Sequence, residues 1–347
     1  MKTVYHQNQR NHDPKHFLSS GAPQPNPEQP GRIDALLSAV TDKGLEVISP
    51  TEHGMAPLAA IHTPEYLTFL KNIHTRWQYI EGGSSEVIPN IHPDRRSVGY
   101  PKSAVGQAGY HMADTACPIS ADTWDSAYWS AQTAVTASDL VVNGEASVYA
   151  LCRPPGHHAF ADLAGGFCFI NNTAIAAQRC IEAGRRPAIV DVDLHHGNGT
   201  QGIFYQRGDV LTVSIHADPE RYYPFFWGYA GERGENAGMG ANLNVPIPRG
   251  SGDDVFLKNL ATGLDRVKVF GADVLIIALG LDAFEGDPFG GLSVTTPGFA
   301  KIASACANLN LPTIIVQEGG YLCPELGQNL TSFLDGFAST HKLNQKA

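Results

Sequence analysis

The sequence predicts an α/β fold built on a central, mostly parallel sheet. Short β-branched runs alternate with helix-period stretches from about residue 146 onward, a polar cluster closes each run, and no internal repeat or linker divides the 347 residues. Apolar runs at 147–152, 188–192, 210–215, 274–279 and 313–317 read as strands, because parallel strands covered on both faces lose the polar alternation of half-exposed ones. Helices are expected at 126–142, 171–183, 254–270, 297–308 and 325–338, each bounded by Gly, Pro or Asn. Short runs at 2–6 and 46–49 add two strands. Residues 82–123 break the pattern, with many turn formers and little periodicity. Loops longer than ~15 residues inside compact domains usually serve function, so this stretch is expected to be an ordered excursion forming a lid or a subunit contact.

Composition narrows the function classes. Charged residues are 17% of the chain against 43% hydrophobic, which argues against coiled coil and disordered tails. Glycine (36) and proline (23) are abundant, so much of the chain is ordered loop. A formal net charge of -10 repels phosphate backbones, and a nucleic-acid partner is not expected. The longest apolar run, 274–281, is far short of the ~18 residues that cross a bilayer, so no membrane role is expected either. Six cysteines lie scattered without a CxxC pair, which fits reduced thiols in a cytoplasm.

Ligands in open α/β sheets bind beyond the carboxyl ends of the strands, so the clusters closing each run carry the chemistry. Arg153-Pro-Pro-Gly-His157-His158 follows the first run, Asp191-Val-Asp193-Leu-His195-His196-Gly-Asn198 the second and His216-Ala-Asp218 the third; Gly280-Leu-Asp282 follows the fourth and Glu318-Gly-Gly-Tyr321 the fifth. Folding gathers all five on one rim. Asp193 and His195, two apart at a strand end, point the same way, and Asp282 from a neighbouring strand closes a set of one imidazole and two carboxylates. Three protein ligands leave a coordination position open for hydrolysis, and this set suits zinc, Fe(II), Co(II) or Mn(II).

Pro154-Pro155-Gly156 is a rigid turn that holds His157 and His158 in fixed directions. One imidazole can act as general base and later protonate a leaving amine while the other stabilises developing charge; alternatively both are further metal ligands. Asp191 and Asn198 are the partners available to their far nitrogens, and one charged and one neutral partner would give the two histidines different basicities. Tyr321 follows two glycines, so its hydroxyl can swing toward an acyl oxygen as an oxyanion donor.

These motifs, with Gly165-Gly-Phe-Cys-Phe-Ile-Asn-Asn172 and Leu279-Gly-Leu-Asp282, resemble the histone deacetylase superfamily over nearly the whole chain. The excursion, with Glu86-Val-Ile-Pro-Asn-Ile-His-Pro-Asp-Arg-Arg96, looks most like the bacterial acetylpolyamine amidohydrolases, in which a corresponding insertion builds a dimer and narrows the active-site entrance. The resemblance implies a three-layer α/β/α fold of the arginase and deacetylase kind, with 1–347 as one catalytic domain. It implies zinc on Asp193, His195 and Asp282, His158 as general base and acid, His157 as its electrostatic partner and Tyr321 polarising the carbonyl. Phe167, beside Gly166, and Tyr223 would flank a narrow tunnel for the amine's alkyl chain. A structural potassium would sit on Asp191, Asp193, His195 and Ser214, with a second ion near Phe204 and Val210. Where polyamine-specific relatives place acidic side chains at the tunnel mouth, alignment puts Val105 and Ala116 here, and Asp114 is the nearest carboxylate.

The expected activity is removal of an acetyl group from an amine on a slender chain, an acetylated polyamine or diamine, by a cytoplasmic homodimer or higher homo-oligomer joined through 82–123. An acetyl-lysine peptide or another small amide is the alternative substrate. A ureohydrolase shares this type of fold but needs two manganese ions and about six ligands, and only one Asp-x-His and one later rim Asp are visible. A catalytically silent binder of acylated amines is the rival from a different class.

Overall fold

Burial of the predicted apolar runs follows from where they sit. The computed structural model describes residues 1–94 and 99–343. Among these, the strands are β1 (Lys2–Val4), β2 (His16–Ser19), β3 (Ala22–Pro25), β4 (Val47–Ile48), β5 (Ser147–Ala150), β6 (Pro187–Asp191), β7 (Leu211–Ala217), β8 (Asn242–Ile247), β9 (Val274–Leu279) and β10 (Thr313–Gln317). Eight form one parallel sheet in the order β4-β1-β5-β10-β9-β6-β7-β8, while β2 and β3 make a separate hairpin. The helices are α1 (Gly31–Asp42), α2 (Ala56–Ala59), α3 (Pro64–Trp77), α4 (Ala104–His111), α5 (Thr123–Val142), α6 (Asn172–Glu182), α7 (Asn198–Phe204), α8 (Asp253–Phe270), α9 (Thr296–Ala307) and α10 (Leu326–Thr340).

Alternate residues of each central strand feed opposite layers. Leu275, Ile277 and Leu279 join one apolar cluster with α1, α8, α9 and α10, whereas Val274 and Ile276 join another with α3, α5 and α6. This is the three-layer α/β/α arrangement the resemblance implied. Each fully buried Leu or Ile stabilises the fold by about 2 kcal/mol, which makes the sheet centre a firm base for a rim of buried charges. The four adjacent strands β5, β10, β9 and β6 end in register, with Val316 beside Ala150, Gln317 beside Leu279 and Asp191 beside Ala278. Their carboxyl ends therefore deliver residues 151–158, 318–321, 280–282 and 192–198 to one place.

Several elements depart from the expectation. β7 runs two residues past 215, so His216 lies inside a buried strand. β8 was not foreseen: its Pro246 reads as a breaker, yet as the edge strand it has a partner only in β7, where a missing N–H is tolerated. The β2–β3 hairpin turns through Ser20 and Gly21, both at positive φ (50° and 81°); β3 is exposed and proline-containing, and neither short strand carries an apolar alternation. α3 lies outside the expected helices although its start is clear, with Thr63 accepting from the Tyr66 amide at 3.3 Å and Pro64 in the first turn. The 82–123 stretch is not all loop: Val87 and Ile119 bond each other's backbone at 3.0 and 3.1 Å, and α4 stands within it, capped by Ser103. Arg95 and Arg96 of its motif lie outside the described residues.

Candidate active site

Each rim residue is held by a backbone or side-chain partner that the fold brings from another strand. The Glu318 carboxylate accepts from the Gly156 amide at 2.6 Å, the His157 amide at 3.0 Å and the Thr173 hydroxyl at 2.7 Å, which clamps the turn carrying both histidines. His157 Nδ1 pairs with Asp191 Oδ2 at 3.0 Å, and His158 Nδ1 with Asn198 Oδ1 at 2.7 Å. Beneath Tyr321, buried Arg32 bonds the Glu318 and Gly320 carbonyls at 2.7 and 2.5 Å and reaches Glu28 at 2.6 Å, while Arg153 meets the same Glu28 oxygen at 2.9 Å. The Asp287 carboxylate takes the Tyr321 amide at 2.9 Å, fixing that loop from above.

Asp193, His195 and Asp282 are all buried, and one ligand atom from each lies within 4.8 Å of the other two. The His195 Nδ1 lies 3.0 Å from Asp282 Oδ2 and 3.4 Å from Asp193 Oδ1. The remaining carboxylate oxygens are engaged by backbone: the Gly319 amide donates to Asp193 at 2.8 Å and the Leu194 amide to Asp282 at 3.1 Å. A side chain at Gly319 would strike both carboxylates, so only glycine fits there. Two buried carboxylates beside one imidazole need a positive charge among them, and the donor set is that of a hydrolytic divalent-metal site. A second group, His157, Cys168 and Glu318, is equally close, but the Glu318 oxygens are occupied by three donors and burial pushes the Cys168 thiol well up, so it is not available as thiolate.

The two histidines are driven apart in basicity. Burial disfavours charge on both. At His157 the Asp193 and Asp191 carboxylates outweigh it and raise the pKa well above 6.5, whereas His158, buried beside His157 and His195, is held well below 6.5. His195 is pushed up to about 9, its hydrogen bonds to Asp193 and Asp282 overcoming burial, and Asp282 is raised to about 6 by burial and then by Asp193.

A cavity of about 370 Å³ opens onto these residues, with His158, His195 and Tyr321 at its inner end. Phe167 and Tyr223 line it, and Gly166 lies against His158, where a Cβ would sit 2.5 Å from the ring at a φ of +51°. The rest of the wall was not read from sequence. Phe289 packs on the Tyr321 ring at 4.6 Å, Tyr222 stacks on His195 at 5.3 Å and 13°, and Phe17 of the hairpin meets Phe167 at 5.7 Å. These aromatics carry no motif; only their places after strand ends or in a hairpin bring them together.

Ser214 lies beside Asp191 in register, and its hydroxyl bonds His216 Nδ1 at 2.8 Å. Phe204 and Val210 are buried in the helix-facing core. His216 and Asp218 do not join the rim: His216 Nε2 bonds the Gly228 carbonyl at 2.9 Å, and Asp218 caps the turn after it. Ala116 and Asp114 line the cavity, but Val105 packs against the core and does not.

A histone deacetylase domain family model matches residues 26–337. Acetylpolyamine amidohydrolase from Burkholderia pseudomallei is 42% identical over 340 residues, covering 98% of this chain and 99% of that protein. Acetylpolyamine amidohydrolase 1 from Pseudomonas aeruginosa is 43% identical over 342 residues, covering 97% and 99%. Among solved structures, the crystal structure of the Burkholderia pseudomallei acetylpolyamine aminohydrolase superposes with a TM-score of 0.95, covering 98% of this chain and 99% of that one at 42% identity.

Proposed function

The chain belongs to the histone deacetylase family, and from that premise we propose that it is an amidohydrolase removing the acetyl group from small acetylated amines of the polyamine and diamine class. The convergence of Asp193 and Asp282 on His195, which itself lines an aromatic-walled cavity, is the observation that carries this reading. Those three residues would hold one divalent cation, with zinc, Fe(II) and Co(II) all suited to the donors. When bound, such a cation supplies Lewis-acid polarisation of the acyl carbonyl and makes water nucleophilic at neutral pH.

The protein's own groups then divide the work. Neutral His158, its Nδ1 oriented by Asn198, takes the proton of the attacking water at Nε2 and returns it to the departing amine. Protonated His157, held by Asp191, places a fixed positive charge beside the developing negative one. The Tyr321 hydroxyl donates to the oxyanion, and Asp287 fixes its backbone for that purpose. The rings of Phe167, Phe289, Tyr222 and Tyr223 exclude water and accept a slender methylene chain.

Beyond catalysis, Asp191, Asp193, His195 and Ser214 would hold a structural potassium, a reading supported by the pairing of Asp191 with Ser214 across β6 and β7. The 82–123 insertion would join subunits, and the enzyme would act in the cytoplasm; no described helix is long and apolar enough to cross a membrane. The deciding experiment compares acetylputrescine, acetylcadaverine, acetylspermidine and an acetyl-lysine peptide, with and without chelator. Turnover of the small amines that chelation abolishes and zinc restores is expected. Turnover of the peptide alone moves the assignment to protein deacetylation, and tight binding without turnover makes the chain a silent binder.

A further inference from the structure

Among the described residues lining the cavity, Asp114 is the single carboxylate, and no lysine or arginine joins it. Every donor it meets is neutral. Oδ2 accepts from the Tyr223 hydroxyl at 2.7 Å and the Gly166 amide at 3.2 Å, and Oδ1 from the Ala116 amide at 2.8 Å and, more distantly, the Gly166 amide at 3.4 Å. The carboxylate thus ties three segments: the 82–123 insertion that carries it, the Gly165–Gly166 turn against His158, and the loop after β7 that carries Tyr223. The Tyr223 ring stands edge-on to His158 at 4.9 Å and 90°, and 6.0 Å from the His195 ring. An apolar wall needs only a phenyl ring there, so the hydroxyl is explained by its partner.

We propose that Asp114 is a positioning residue that sets the bore of the tunnel by holding Tyr223 and Gly166 against the catalytic histidines, and that through it the insertion reaches the active site. The insertion is stitched to the same turn by backbone as well, with the Ala113 amide bonding the Ala164 carbonyl at 2.7 Å and the Ala164 amide the His111 carbonyl at 2.8 Å. The Thr115 hydroxyl bonds the Leu18 carbonyl at 3.3 Å and links the insertion to the hairpin wall. Because two oxygens serve three donors, loss of the carboxylate frees Tyr223 while leaving these backbone bonds in place. Selectivity for slender substrates would then relax without loss of the rim chemistry.

This inference rests on the deacetylase reading for its substrates, but its test has an arm that does not. Asp114→Ala, Asp114→Asn, Tyr223→Phe and the Asp114→Ala/Tyr223→Phe double variant are compared on acetylcadaverine, on a neutral linear acetamide of the same length and on a branched acetamide. Asp114→Ala and Tyr223→Phe are each expected to raise KM about tenfold for both linear substrates, with a much smaller change in kcat, since one charge-assisted hydrogen bond is lost. The double variant is expected to go no further than either single change. Asp114→Asn keeps one acceptor oxygen and falls nearer the wild type, and the branched acetamide gains relative to the linear one in Asp114→Ala. Thermal melting of the four variants, which needs no substrate, is expected to show the same non-additivity. Multiplying KM effects with additive melting shifts would overturn the proposal. So would a loss confined to the charged substrate, which would make Asp114 a reader of charge. Absence of turnover in the wild type would overturn the functional reading while the melting cycle still decides the strut.

Discussion

The inner rim and the outer wall of the cavity are built on opposite principles. The rim residues leave four adjacent central strands within a few positions of their ends, and Asp193, Asp282 and Glu318 are each 0% exposed with their carboxylate oxygens bonded. The wall comes from a hairpin near residue 20, an insertion near 114 and loops near 225 and 289, all outside the main sheet. Tyr223 meets Phe225 edge-on and reaches the insertion through one carboxylate, and Phe225 is 47% exposed. Buried charge demands a complete set of partners, whereas an apolar wall needs only shape. Chemistry is therefore carried where the scaffold is stiffest, and selectivity where segments can be exchanged.

Substitutions can sharpen that division. The largest effect is expected at the rim: Asp282→Asn, like exhaustive chelation of the wild type, should lower kcat/KM by roughly 10³-fold or more, since Lewis-acid assistance amounts to several kcal/mol. Zinc should restore the chelated wild type but not the variant, and the metal content of each preparation reads this directly. Tyr321→Phe should lower kcat roughly 10²-fold through loss of an oxyanion donor, with metal content unchanged. An unchanged kcat would remove Tyr321 from the reaction. At the wall, Phe17→Ala should raise KM by only about tenfold and leave kcat nearly unaltered, because it deletes part of one apolar surface. If it cut kcat as deeply as Tyr321→Phe, the separation of rim from wall would fail.

The smallest effect concerns pH. The base must be neutral to accept a proton, and burial together with neighbouring His157 and His195 lowers the pKa of His158, so its neutral form persists as pH falls below 6.5. With metal saturating, kcat/KM should drop less between pH 7 and pH 6 than the roughly threefold an unshifted imidazole of pKa ~6.5 imposes. A drop at least that steep would show that His158 is not held down.

The ion-pairing and hydrogen-bonding partners of His157 and His158 were legible because they sit in short motifs at the ends of uninterrupted apolar runs. Glu318 and Asp287 were not assigned roles. Apart from the Thr173 hydroxyl, what they grip is backbone, the Gly156, His157 and Tyr321 amides, and a backbone donor leaves no mark on residue type. The Asp193–His195–Asp282 set could be read from two strand ends, but its clamping by the Gly319 amide could not. His216 was misplaced for a related reason: a strand end two residues later turns a rim histidine into one inside the sheet.

By itself, then, the sequence determined the α/β class, the central strands and the residues of the rim, because strand burial and chemistry at strand ends are local in the chain. Tertiary structure alone decided that Phe17, Tyr222 and Phe289 complete the cavity wall, that Val105 is core while Asp114 faces the cavity and ties Tyr223, and that β8 closes the sheet edge. Those outcomes depend on contacts between segments distant in the chain, Asp114 with Tyr223 and Thr212 with Asn242 among them, and on backbone groups every residue shares. No local pattern encodes them.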